Sequence, residues 1–332
     1  MNSSHSTAAG AAANSTIAVG LVGARGYVGA ELIRLLDAHG HARLDFVSSR
    51  ALAGQPVTSE VAGFSDEKLC YEDLDAHACA RRGADAYILA LPNGHAAEYV
   101  AAIERSQPEA VIIDVSADYR FDDDWVYGLP ERNRELIRGA RRISNPGCYA
   151  TGMQLGIAPA LDRLDGSPVV FGVSGYSGAG TTPSDKNDPE KLRDNLMPYA
   201  LVGHTHEREV SRHLNHSVRF MPHVAPFFRG ITLTIALPLS RALTADDLRA
   251  IYAEAYAAEP LVEVHDSIPL VRDIANRHQV RIGGFTVDES SGRGVVVVTL
   301  DNLLKGAATQ AVQNINLAFA ASDELEGIRP CL

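Results

Sequence analysis

Three short stretches of this sequence carry side chains able to do chemistry together. The first is Asn145-Pro146-Gly147-Cys148-Tyr149-Ala150-Thr151-Gly152. Pro146 and Gly147 signal a turn, and an apolar helical pattern follows directly from Met153. Cys148 therefore falls at or near a helix N-terminus, where the dipole and unpaired amides favour a thiolate and can cradle an oxyanion. That is a setting for acyl transfer by a nucleophilic thiol. Cys70, Cys79 and Cys331 lack such a context and read as small apolar core residues. The second stretch, Gly203-His204-Thr205-His206, precedes a charged helical run and offers an imidazole for proton transfer. A surface pair at a strand end is the plainer reading of the same residues. His206, Glu209 and His213 share one helix face, but no HExxH pattern accompanies them, so no metal is expected.

The third stretch is Gly20-Leu-Val-Gly23-Ala-Arg25-Gly26-Tyr27-Val28-Gly29. Its glycines recur at every third position instead of as GxGxxG. Gly23 still permits a tight turn, Gly26 lets backbone approach a pyrophosphate, and Gly29 allows a helix to pack on the strand. Arg25, Tyr27 and Val28 flank that phosphate site. About twenty residues on, Ser48-Ser49-Arg50 ends the next apolar run, where an NAD site usually carries Asp or Glu. Two hydroxyls and a guanidinium suit a 2′-phosphate, which points to NADP(H); Arg50 as a solvated loop residue is the alternative. Pro92, Asn93 and Gly94 end a third run and border the expected nicotinamide.

Substrate contacts are expected from a second group. Ser174 and Ser177 lie in the glycine-rich loop GVSGYSGAG, where neither fits a nucleophile elbow, so both read as hydrogen-bonding residues. Arg120, in SADYRF, can grip a phosphoryl or carboxylate group with two N–H bonds, or pair structurally with Asp118.

The elements that position these residues are legible in outline. Short apolar runs at 17–22, 44–47, 86–91 and 110–115 alternate with helical patterns, notably 31–38 and 95–105, predicting a parallel sheet covered on both faces. This is an α/β, Rossmann-type, doubly wound domain. Beyond about residue 145, a helix at 155–164 precedes β-rich runs at 169–173, 218–220, 231–237, 279–285 and 294–300. These predict a second α+β domain with a largely antiparallel sheet. A small-residue amphipathic helix at 306–320 closes the pattern. The expected division is a disordered tail at 1–15, an NADP-binding domain at 16–146 joined by the C-terminal segment 302–332, and a catalytic, substrate and oligomerisation domain at 147–301.

Composition excludes other classes. A net charge of −11 on 332 residues repels phosphate backbones and anionic lipid, so neither nucleic acid nor a membrane is an expected partner. Anionic ligands must then be held locally, by helix ends and a few arginines. Four cysteines without CxxC or zinc spacing suit a reducing compartment. The N-terminal stretch lacks basic residues and a long apolar run, which does not fit a signal peptide. A cytoplasmic protein is expected.

GARGYVGAELIRLL, SADYRF, YGLPE, NPGCYAT, SGYSGAG, GHTHERE and DNLLKGAATQAVQN together resemble the N-acetyl-γ-glutamyl-phosphate reductases of arginine biosynthesis, in order and in spacing. The resemblance covers most of residues 17–320 and places the chain with the aspartate-semialdehyde dehydrogenase group. It implies a Cys148 thioester, NADPH, a small acyl-phosphate substrate and a homodimer or homotetramer. It also implies His204 as the proton-transfer residue with His206 close by, Tyr199 and Asn145 as substrate contacts, and Asn302 and Lys305 on the cofactor side. Where many members follow SGAG with Arg and Lys, this chain has Thr181-Thr182-Pro183-Ser184-Asp185-Lys186, and Lys186 is expected to compensate. An aspartyl or aminoadipyl acyl phosphate as substrate, and a catalytically silent NADP-binding regulator, are the competing expectations.

Overall fold

The computed structural model describes residues 16–240, 243–320 and 323–328; the tail expected at 1–15 and Cys331 lie outside them. Among the described residues two seven-stranded sheets form. The first is wholly parallel and comprises β1 (Ile17–Val22), β2 (Ala42–Ser48), β3 (Tyr71–Glu72), β4 (Ala86–Leu89), β5 (Val111–Asp114), β6 (Val126–Tyr127) and β7 (Arg142–Ser144), in the order β3-β2-β1-β4-β5-β7-β6. Helices α1 (Tyr27–Asp37), α2 (Ala76–Arg82), α3 (Ala96–Ser106) and α4 (Pro130–Ile137) connect them. β4 and β5 are buried at every position, which is why they read as unbroken apolar runs. The strand order reverses between β1 and β4, and the carboxyl ends there open a crevice.

The chain crosses to the second sheet through α5 (Cys148–Ile157). That sheet holds β8 (Val169–Gly175), β9 (Met197–Pro198), β10 (Arg219–Ala225), β11 (Ile231–Pro238), β12 (Val262–Val264), β13 (Val280–Asp288) and β14 (Arg293–Leu300), in the order β12-β13-β14-β11-β8-β10-β9. It is mixed: β11 runs antiparallel to β14 and β8, while β8 with β10 and β12 with β13 are parallel. Between its strands lie α6 (Pro189–Leu192), α7 (Thr205–Leu214) and α8 (Ala245–Ala255). Every residue of α5 after Cys148 is buried. Gly152 and Gly156 seat this helix on the sheet, since a Cβ at either would come within 2.6 and 2.3 Å of Leu233 and Ile235 side chains.

Leu304–Ala308 forms a π-helical turn leading into α9 (Thr309–Phe319). Ala311, Val312 and Ile315 of α9 lie in the core of the first sheet, so the chain's end packs back against its beginning. The sequence reading lacked α8, placed the α5 helix at 155–164 instead of 148–157, and missed several short strands. β3, β6, β7 and β9 have two or three residues each, too few to show a period of two. Cys79 is buried, whereas Cys70 is partly exposed. No helix among the described residues is long and apolar enough to cross a membrane.

Candidate active site

A cleft of about 1060 Å3 runs between the two sheets, along the carboxyl ends of β1, β4 and β5. One end is built by the glycine turn. Gly23 has φ +82°, and the amides of Gly23 and Ala24 both donate to the Ser48 carbonyl at 3.0 Å, tying the turn to β2. Gly26 is the N-cap of α1, makes no side-chain cap and faces open space; no acidic residue stands in the first turn. The free amides at that helix end are thus left for an anionic ligand, and a pyrophosphate fits. Arg25, Tyr27, Val28, Ser48, Ser49, Arg50 and Pro92 all line this part of the cleft. The exposed Arg50 side chain has its Nε 3.7 Å from Asp73 Oδ1. Asp118 does not pair with Arg120; its carboxylate accepts from the Gly94 and Ala96 amides at 2.6 and 3.1 Å and so caps α3.

Cys148 is the first residue of α5 and borders the middle of the cleft. Burial pushes its thiol up to about 11, against the pull of the Tyr149 and Cys148 amides and of Arg120. The helix end expected to favour a thiolate is present, but desolvation outweighs it, so the thiol is the resting form at neutral pH.

Both histidines of the Gly203–His206 stretch flank this thiol's turn. His204 is the N-cap of α7, its Nδ1 accepting from the His206 amide at 3.0 Å, so the neutral ring carries its proton on Nε2. Burial, and then Lys186, lower its pKa. His206 Nε2 lies 3.4 Å from an Arg120 NH1 that can only donate, which leaves the proton on Nδ1, a buried atom with no hydrogen-bond partner among the described residues. Burial pushes His206 down to about 3, so it stays neutral at working pH. Gly147 makes this crowding possible: a Cβ there would fall 2.2 Å from His206 Nε2 and 2.6 Å from Arg120 NH1.

Arg120 is not the free fork that the sequence suggested. Nε donates to the Asn145 carbonyl at 2.9 Å, NH2 to the Val115 carbonyl at 2.9 Å, and NH1 to Glu209 at 3.1 Å. It lines the cleft and presents charge there, while its N–H groups hold the walls together. Ser174, Ser177, Tyr199 and Asn302 also line the cleft. Asn302 is tied down by its side chain, which donates to Ser177 Oγ at 2.9 Å and accepts from the Gly230 amide at 2.7 Å. Two expected residues do not reach it. Asn145 is fully buried, its amide bonded to the Ala307 carbonyl and to Asn314. Lys305, expected on the cofactor side, is also fully buried, with Nζ 2.6 Å from Glu131 Oε1 and 2.7 Å from Gln313 Oε1. In both cases the side chain is committed to partners in the protein interior.

Known proteins resemble the chain along its length. The family described as "Semialdehyde dehydrogenase, NAD binding domain" matches residues 18–140, and "Semialdehyde dehydrogenase, dimerisation domain" matches 148–302. A Xanthomonas oryzae pv. oryzae protein named N-acetyl-gamma-glutamyl-phosphate reductase is 60% identical over 313 residues, covering 94% of this chain and 98% of that protein. A Stenotrophomonas maltophilia protein of the same name is 59% identical over 315 residues, covering 95% and 99%. The chain belongs to the N-acetyl-gamma-glutamyl-phosphate reductase family. Solved structures agree on the fold. Aspartate semialdehyde dehydrogenase II from Vibrio cholerae superposes with a TM-score of 0.74 at 19% identity, covering 91% of this chain and 98% of that one. The Candida albicans aspartate semialdehyde dehydrogenase with NADP gives 0.69 at 16%, again covering 91% and 98%.

For a member of this reductase family, Glu209 is the site residue that sequence reasoning missed. Its buried carboxylate accepts from Arg120, from the Tyr127 hydroxyl at 2.7 Å and from the Gly147 amide at 2.9 Å. Burial would raise its pKa, but Arg120, His206 and these donors win and hold it below the usual value, hence ionised. The signal was its place one turn after His206, as one of three residues in a metal-like pattern. His213, the third member of that pattern, turns its Nε2 to the Arg120 carbonyl at 2.8 Å and stacks on Tyr127 instead. The altered loop brings Lys186 to the cleft wall, with Nζ 4.9 Å from the Tyr199 ring centre. Lys186→Ala should raise the KM of an anionic substrate by about 3- to 10-fold. Steady-state kinetics in which KM stays unchanged would remove Lys186 from substrate binding.

Proposed function

We propose that this chain reduces N-acetyl-γ-glutamyl phosphate to N-acetylglutamate 5-semialdehyde and phosphate, using NADPH and a thioester on Cys148, as a cytosolic homodimer or homotetramer of arginine biosynthesis. The carrying observation is the convergence of Cys148, at the start of α5, with the glycine turn of one sheet and His204 of the other on a single cleft. The family descriptions, one of them a dimerisation domain, support the same reading.

Cys148 Sγ attacks the acyl carbon, and the carbon–oxygen bond to phosphate breaks. The thiol proton leaves with the departing phosphate, and the backbone amides at the start of α5 stabilise the oxyanion. A dinucleotide held at the glycine turn would supply the hydride that takes the thioester to the aldehyde level. His204 Nε2–H donates a hydrogen bond to the thiohemiacetal oxygen, whose collapse breaks the carbon–sulfur bond and frees a thiolate that regains its proton from solvent. His206 remains neutral and holds Arg120 in place.

The test is the reverse reaction, phosphate-dependent reduction of NADP+ with each candidate semialdehyde. N-acetylglutamate 5-semialdehyde should exceed aspartate and aminoadipate semialdehydes by about 100-fold or more in kcat/KM. A preference for either competitor would replace the substrate, and no turnover with any would favour a silent NADP-binding protein. Ser48, Ser49 and Arg50 support NADP over NAD. Arg50→Asp should therefore raise the KM of NADPH about 10- to 100-fold and leave that of NADH nearly unchanged; an equal effect on both would remove the assignment.

A further inference from the structure

Lys305 and Glu131 are ionisable groups that the reaction does not use, yet they are 0% and 1% exposed and 2.6 Å apart. A dry ion pair is a poor source of stability, since apolar residues of similar volume usually serve as well or better. Its place in the fold is more telling. Lys305 sits in the π-turn Leu304–Ala308, where the Gly306 and Ala308 amides reach back five residues to the Asp301 and Leu303 carbonyls. The next residue, Gly306, packs directly on the nucleophile: a Cβ added there would lie 2.8 Å from Cys148 Cβ and 3.3 Å from its Cα. Ala307 follows, its carbonyl bonded to Asn145, whose own carbonyl holds Arg120.

This stretch has one workable register. A slip by one residue, which relaxing the π-turn to an α-turn would allow, sets a side chain where only Gly306 fits. Nζ of Lys305 fixes the register by reaching α4 through Glu131 and α9 through Gln313. α4 is itself anchored across the molecule, Arg134 bonding Glu259 and Glu324 at 2.6 and 2.7 Å. We propose that Lys305 is a positioning residue: its ion pair with Glu131 seats the π-turn against Cys148 and fixes where the nucleophile stands in the cleft wall. The inference rests on Cys148 being the nucleophile.

The test is the double variant Lys305→Met/Glu131→Met of the full chain, which leaves neither charge buried alone. Its thermal melting should match the parent within a few degrees. Its kcat in the reverse reaction should fall about 10- to 100-fold with the KM of NADP+ nearly unchanged, the loss expected of a displaced reacting group. The pH profile of Cys148 alkylation by iodoacetamide should shift as well. A folded double variant with parental kcat and alkylation profile overturns the proposal. Should that variant not melt cooperatively, Glu131→Gln decides by the same alkylation profile, an unchanged one again overturning it. If Cys148 is not the nucleophile, alkylating it in the parent leaves turnover intact, an outcome distinct from either.

Discussion

Replacing Cys148 with Ser lowers kcat of the semialdehyde reaction about a thousandfold or more, while NADPH binding, read by nicotinamide fluorescence, stays near the parental value. The oxygen is smaller, harder and a poorer leaving group, so the acyl-enzyme that splits the reduction into two steps is lost. A second readout follows from burial. With its thiol pushed up to about 11, Cys148 in the free enzyme is mostly protonated at neutral pH. Alkylation by iodoacetamide should accelerate roughly tenfold per pH unit between about pH 7 and 10 without levelling off. A plateau below pH 8 would show a preformed thiolate and overturn the resting-thiol reading; retained turnover in Cys148→Ser would overturn the thioester itself.

Glu209→Ala costs about 3–5 kcal/mol of stability, because it strands the buried Arg120 charge along with the Tyr127 hydroxyl and Gly147 amide. Denaturant unfolding measures this directly. Adding Arg120→Ala should recover part of the loss, since the pair is coupled across 89 residues of sequence. Strictly additive losses would mean that the two do not act together. The same cluster makes the fold acid-sensitive. His206 is held neutral down to about 3, so the unfolded chain binds a proton first as pH falls below about 6.5, and stability declines from there. Glu209, held below its usual value, contributes stability above about pH 4.5 that is lost as pH falls further. In the Glu209→Ala variant the decline below about pH 4.5 should be shallower, with the His206 contribution remaining.

What was legible in the sequence has a common cause. The glycine turn, the strand ends and the Cys148 turn are local features, set by residues within one turn of each other, and they face the cleft as expected. What was hidden depends on partners far along the chain. Arg120 looked like a substrate fork because Glu209 and Asn145 are brought to it only by folding. Lys305 looked like a ligand residue because a lysine in a motif normally faces out, and nothing local shows that Glu131 waits in the interior. The thiol's protonation state was hidden for the same reason: a helix end is visible in sequence, and desolvation is not.

The N-cap of α7 has a genetic consequence. His204 closes that helix through Nδ1, leaving the proton on the far side of the ring. Asparagine serves this capping position well, and a histidine codon becomes an asparagine codon by changing one base. The fold thus stands a single nucleotide from a version of itself that would still assemble, keep its glycine turn and cysteine, and lack the imidazole N–H that the proposed mechanism sets against the reacting oxygen. Among related genes, a folded but idle copy would be hardest to recognise where it differs at this one position.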